Sequence, residues 1–254
     1  MDPWSKQDPC SRLALVGQHG AAGLRCDLQS APLGATSVVL QRATPPLDLK
    51  QEPLRLPWDL RLTPELFEQV CQANPESVLE LHADGHLIPM TPTGGETSSR
   101  NQRLGQRLLL WADGAGAAGW RVFDSSGGFR LPNGSVLSPD AALVGLDRWQ
   151  ALTAEHRRGF PPLCPDLVVE LASTSGARPS DQGPRGAEAL RRKMDLYQAN
   201  GAQLGWLLLP EERAVELWRG GEKGRKERLE NPSRLEAGEP FAGLVLELEE
   251  IWVV

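Results

Sequence analysis

Two short apolar runs, each carrying one carboxylate, constrain this chain most. The first is Ser138-Pro139-Asp140, followed by Ala141, Ala142, Leu143 and Val144. The second is Cys164-Pro165-Asp166, followed by Leu167, Val168, Val169, Glu170 and Leu171. Such runs read as buried strands. A buried strand has no use for an ionised carboxylate, because burying a charge without a partner is costly. Asp140 at the head of one run and Glu170 inside the other therefore suggest a shared cation. A helical pattern follows from Glu188 to Asn200 and carries Lys193. The three residues are far apart in the chain, so only the fold can assemble them.

The surrounding punctuation gives the fold class. Thr63 and Pro64 form a helix start, with Glu65 in the first turn, and Asn74-Pro75 ends that helix. Val78–His82 and His86–Met90 read as a hairpin turned by Asp84-Gly85. Asn101, Leu104, Leu108 and Trp111 keep helical spacing. Trp120–Phe123 and Phe129–Leu131 read as strands, and Thr153 as the cap of a short helix within the surface segment from Leu146 to Phe160. Leu204–Leu209 is a buried strand by composition, and Ala214–Arg219 another. Gly220–Arg228 reads as a charged turn. Beyond it, only Leu244–Leu248 has a clear strand pattern. Strands alternating with helices imply an α/β domain over residues 57–254, with a central mixed β-sheet flanked by helices. Residues 1–56 lack periodicity and are rich in Pro, Gly, Ser and Gln, so a poorly ordered extension is expected there. Residues 173–187 read as a mobile loop.

Composition narrows the function classes. The chain has 254 residues, of which 40% are hydrophobic and 24% charged, enough for a sizeable core. No apolar run is long enough for a membrane span, and no secretory signal is read at the N-terminus. Cys10, Cys26, Cys71 and Cys164 are scattered without a CxxC pair, so a zinc site or disulfide framework is not expected and a cytoplasmic location is. The net charge of −6 argues against a general nucleic-acid coating protein. It leaves room for a nuclease, whose metal-binding acids lower the total.

Phosphodiester hydrolysis needs a deprotonated water, an offset for phosphate charge and a stabilised leaving oxygen, and a hard divalent cation serves all three. Mg2+, or Mn2+ in its place, needs only one or two carboxylates plus waters. Asp140 and Glu170 would be those ligands, with the Leu171 backbone carbonyl as a third oxygen. Lys193 would orient the water or offset phosphate charge. Each has a plainer reading: Asp140 as a turn residue after Ser-Pro, Lys193 as part of a solvated basic face with Arg191 and Arg192. Glu80 and Glu96 are additional candidates whose plainer reading is structural. Ser125-Ser126-Gly127-Gly128 is too generic to be a phosphate loop.

An ordered series of short motifs carries a resemblance. It comprises Met90-Thr91-Pro92-Thr93-Gly94-Gly95-Glu96, Arg100-Asn101, Phe123-Asp124-Ser125-Ser126, Gly128–Gly134, Ser138-Pro139-Asp140, Arg148-Trp149, Phe160–Asp166, Glu170-Leu171, Lys193-Met194, Tyr197, Asn200-Gly201 and Leu204-Gly205-Trp206. The series resembles the Uma family of restriction endonucleases, closest to the branch abundant in cyanobacteria, over roughly residues 58–220. That family belongs to the PD-(D/E)XK nuclease superfamily. The resemblance implies a restriction-endonuclease-like core, a magnesium-type site with Asp140 and Glu170 as its acids, DNA as substrate and a homodimer as the common assembly. One departure stands out. The superfamily places a lysine two residues after the second acid, where this chain has Ala172. Lys193, which matches the family's own helix pattern, is the replacement expected here, and Glu96 matches an acid near the first core helix. The competing expectation is a catalytically silent module that keeps the fold for DNA or protein binding. A hydrolase for another phosphate ester is a third.

Overall fold

The computed structural model describes residue 57 and residues 59–114, 119–173, 186–221 and 225–253. The extension read over residues 1–56, and nearly all of the loop read over 173–187, lie outside the described residues. The elements run α1 (Pro64–Ala73), β1 (Val78–Leu81), β2 (Leu87–Met90), α2 (Gly95–Ala112), β3 (Trp120–Asp124), β4 (Phe129–Arg130), β5 (Val136–Leu137) and β6 (Ala141–Gly145). They continue with α3 (Leu146–Gln150), α4 (Ala154–Arg158), β7 (Leu167–Leu171), α5 (Ala187–Ala199), β8 (Leu204–Leu209), β9 (Ala214–Arg219), β10 (Arg225–Glu230), β11 (Arg234–Glu236), β12 (Val245–Glu247) and α6 (Glu249–Trp252). No described helix is long and apolar enough to cross a membrane.

The central sheet has the order β10-β9-β8-β7-β6-β3. Only β7 and β8 run parallel, with Val169 opposite Trp206 and Glu170 opposite Leu207. Parallel neighbours need a crossover, and the segment containing α5 supplies it. Period-two alternation then sorts the side chains. Leu167, Val169 and Leu171 join Leu104 and Leu108 of α2 in one core. Val168 joins Leu190, Met194 and Tyr197 of α5 in the other. Glu170 has the parity of Val168, so it belongs to the face that α5 covers.

Gly205 fixes how closely α5 lies on that face. A Cβ there would stand 2.3 Å from Met194 Cε. Met194 is fully buried and adjoins Lys193 in sequence, so the approach at Gly205 sets where the ammonium is delivered.

A second, smaller sheet, β2-β1-β5-β4, is built on the hairpin. Helix α1 begins as its sequence dictates, with the Thr63 side chain accepting from the Leu66 amide at 3.3 Å. Its Phe67 packs with Leu79, Leu81 and Val136. Leu79 and Leu81 face that cluster, so Glu80 between them faces away from it.

One reading of the C-terminal third needs correction. Arg225–Glu230 is the edge strand β10, fully paired with β9, and not part of a turn. An edge strand bonds on one side only, and charged side chains on it block further pairing. Its Arg228 reaches Glu212, Glu216 and Glu230. Arg234–Glu236 also pairs with Val245–Glu247, a short ribbon for which the sequence shows only one partner clearly.

Candidate active site

Asp140, Glu170, Lys193 and Glu80 line one small cleft, together with Ser138 and Leu171. All four charged groups are buried: Asp140 is 7% exposed, Glu170 2%, Lys193 9% and Glu80 3%. Among the described residues, three carboxyl groups thus share low-dielectric surroundings with one ammonium, where a charge without a partner is costly.

Each side chain is held from the backbone outward. Asp140 stands one residue before β6, where Asn101 Nδ2 of α2 donates to its Oδ1 at 3.0 Å. The Leu171 amide donates to its Oδ2 at 2.8 Å. The end of β7 is thereby tied to the start of β6. The same residue whose carbonyl is expected as a third cation ligand thus holds Asp140 through its amide. Lys193 Nζ donates to Glu80 Oε1 at 2.7 Å and to the Ser138 carbonyl at 2.8 Å. It also pairs with Glu170 Oε1 at 2.9 Å. Glu80 Oε1 in turn accepts from the Ser138 amide at 2.9 Å. Lys193 stands 5.9 Å from the centre of the buried Tyr197 ring, within cation–π range.

Burial, with help from the charges of Asp140 and Glu80 and against the pull of Lys193, raises the Glu170 carboxyl to about 8. Lys193 moves the other way from what burial alone would do. Desolvation lowers an ammonium, but Glu170 and Glu80 outweigh it and hold its pKa above the usual lysine value. Lys193 is therefore a permanent cation at neutral pH, and Glu170 holds a proton there. Burial likewise keeps the Tyr197 hydroxyl neutral.

The fold thus brings together Asp140, Glu170 and Lys193, and adds Glu80. Glu80, an additional candidate in the sequence, has the parity opposite to Leu79 and Leu81, and the Lys193 side chain of α5 reaches it there. Glu96 lies elsewhere: its side chain is 68% exposed in the first turn of α2 and pairs with Arg100 at 3.4 Å. Among the described residues, no three His, Cys, Asp or Glu side chains are gathered closely enough to form a ready metal cage.

Asp166, the other acid of the Cys-Pro-Asp motif, anchors structure. Arg148 Nη1 donates to it at 2.6 Å, the Gly145 amide at 2.8 Å and Gln203 Nε2 at 2.8 Å. These bonds clamp the end of β6 and the entry to β8 around the start of β7.

A family model described as "Uma2: Putative restriction endonuclease" matches residues 64–249. Among solved structures, the chain is similar to "a putative nuclease belonging to DUF820" from Anabaena variabilis. The TM-score is 0.57 at 18% identity, covering 75% of this chain and 97% of that one. At this identity the likeness shows a shared fold, the restriction-endonuclease-like α/β core. No curated protein matches the chain. The matched span takes in the small sheet, the central sheet and all four charged residues of the cleft, and on it the chain belongs to the Uma2 family.

Proposed function

We propose that this protein is a metal-dependent endonuclease that hydrolyses DNA phosphodiester bonds at the cleft of Asp140, Glu170, Lys193 and Glu80. The observation that carries the reading is the gathering of three buried acids, Asp140, Glu170 and Glu80, and one buried lysine in a single cleft. Two acids and a lysine in one cleft suit a site that takes a cation and a phosphate.

The residues fit Mg2+, with Mn2+ as a substitute. Buried Glu170 Oε1 receives no well-aligned hydrogen bond and is held only by its ion pair, so a lone pair remains for a ligand. The Asp140 carboxylate is oriented by Asn101 and by the Leu171 amide, and a hard divalent cation favours such oxygen ligands. Asp140 and Glu170 would hold the ion, and waters would complete its shell. When bound, a divalent cation offsets phosphate charge and acidifies water. The protein's own groups do the rest. Asn101 and the Leu171 amide keep Asp140 from rotating. Lys193, fixed in the protonated form, offers a positive charge to a phosphate oxygen and cannot serve as a general base. Glu80 and the Ser138 carbonyl hold that ammonium in place. Lys193 on the next helix stands in for the lysine that Ala172 lacks.

A second reading is favoured by one observation. Lys193 already bridges two of the acids and no ready cage exists among the described residues, as in a silent module that keeps the fold for binding. Nicking of supercoiled plasmid separates the two. An active enzyme nicks in Mg2+ or Mn2+ and stops in chelator. Purified wild-type protein that never nicks in either metal rejects the nuclease.

A further inference from the structure

A cavity of about 440 Å3 lies beside the acid cluster and shares a wall with it. Its volume falls in the range of small-ligand sites. Aromatic rings dominate the lining: Phe123, Phe129, Trp149 and Phe160. Phe123 stands 5.0 Å from Trp149 and 5.1 Å edge-on from Phe129, so the rings brace one another. Trp149 and Phe160 are only half-buried, which leaves ring surface facing the cavity. At the rim stand Arg157 and Arg158, both exposed, on α4. Arg121 lies 5.5 Å from the Trp149 ring. Glu68 also lines the cavity, with its carboxylate beside Gly159, next to those arginines.

The shared wall is Gly128. A Cβ there would stand 2.8 Å from the Phe160 ring and 3.3 Å from Ser138 Oγ. Ser138 is the residue whose carbonyl and amide hold Lys193 and Glu80. The turn before it divides in the same way: Ser125 lines the acid cleft, while Ser126, Gly127 and Gly128 line the aromatic cavity.

We propose that this cavity takes one unpaired nucleobase of the nucleic-acid strand whose backbone lies at the acid cleft. Flat aromatic faces stack on any base, and guanidinium groups at the rim match the flanking phosphates. Bases inside a duplex present no free face, so the occupant comes from a single-stranded, bulged or displaced segment. Glu68 can accept from the exocyclic amine of a base, the same pairing that carboxylates make with cytosine. The choice of nucleic acid rests on the nuclease reading.

Anisotropy of a labelled single-stranded dodecanucleotide, in chelator, tests the proposal without any hydrolysis. The probes are the intact strand and the same strand made wholly of abasic sites. Wild-type protein is expected to bind the intact strand at least about fivefold more tightly, the low end of what one stacked base contributes. Trp149→Leu is expected to erase that difference. The double variant Arg157→Gln, Arg158→Gln changes only exposed side chains, so folding is not at issue. It is expected to weaken both probes alike and to flatten the salt dependence by roughly one to two counterions. Equal binding of the two probes by the wild-type protein overturns the proposal, as does a double variant that binds like wild type. Base-dependent binding without metal-dependent nicking would sink the nuclease and leave the pocket standing. Nicking with base-independent binding would do the reverse.

Discussion

Lys193 Nζ lies 2.7 Å from Glu80 Oε1, joining the helix that crosses the central sheet to a strand of the small hairpin sheet. The same carboxylate oxygen accepts from the Ser138 amide. Removing this side chain leaves the Ser138 amide without that acceptor and takes one of three partners from the buried ammonium. Glu80→Ala is expected to destabilise the fold by about 2–3 kcal/mol, because a buried donor left unpaired costs its full desolvation. Glu80→Gln keeps an oxygen acceptor and should cost less than half as much. Urea unfolding of the three proteins measures the difference, and equal midpoints would show that Glu80 is not the tie between the sheets.

Gly205 sets the height of the lysine-bearing helix. A methyl group there meets Met194 Cε in a fully buried position. Gly205→Ala should cost about 1–3 kcal/mol, the usual range for overpacking a core. Combining it with Met194→Leu, which withdraws the clashing atom, should recover part of the loss. Thermal denaturation of both variants checks this.

The pH dependence of stability follows from Glu170. Its folded pKa, about 8, stands above the ordinary carboxylate value of about 4.3. Between those values the folded chain keeps a proton that the unfolded chain has released. The stabilisation linked to that proton is complete at lower pH and is lost as pH rises through about 8. Metal-free protein should therefore lose stability from pH 5 to 8, with a slope of up to about 1.4 kcal/mol per pH unit from this group. The raised pKa of Lys193 acts only at higher pH and leaves this window alone. Glu170→Gln should flatten the profile, and an unchanged slope would contradict the assignment.

Asp166 separates fold from chemistry. It anchors Arg148, the Gly145 amide and Gln203. Asp166→Ala should cost about 3 kcal/mol through those unpaired donors. Its metal affinity, measured on the folded fraction, should match the wild-type value.

Most of the architecture was legible in the sequence because local rules and tertiary packing agree. Thr63-Pro64 caps α1, Asp84-Gly85 turns the hairpin, and the apolar runs at 141–145, 167–171 and 204–209 are the buried strands. The edge strand Arg225–Glu230 was not legible, because its pairing depends on a neighbour and its exposed charges look like a turn. Asp140 and Glu170 stood out as charges inside apolar runs. Lys193 was ambiguous by pattern, since Arg191 and Arg192 beside it face outward while it is buried. Glu80 stood as an additional candidate with a plainer structural reading, since its partner lies on a helix far along the chain. Glu96 drew notice by its place near a helix start, and that place leaves it in solvent.

Calorimetric titration with Mn2+ tests the shared cation most directly. Wild-type protein should bind one ion per chain, with affinity rising as pH approaches 8 and Glu170 gives up its proton. Asp140→Asn and Glu170→Gln should each lose that heat while keeping a cooperative unfolding transition. Binding in both variants indistinguishable from wild type would contradict a cation held between these two acids.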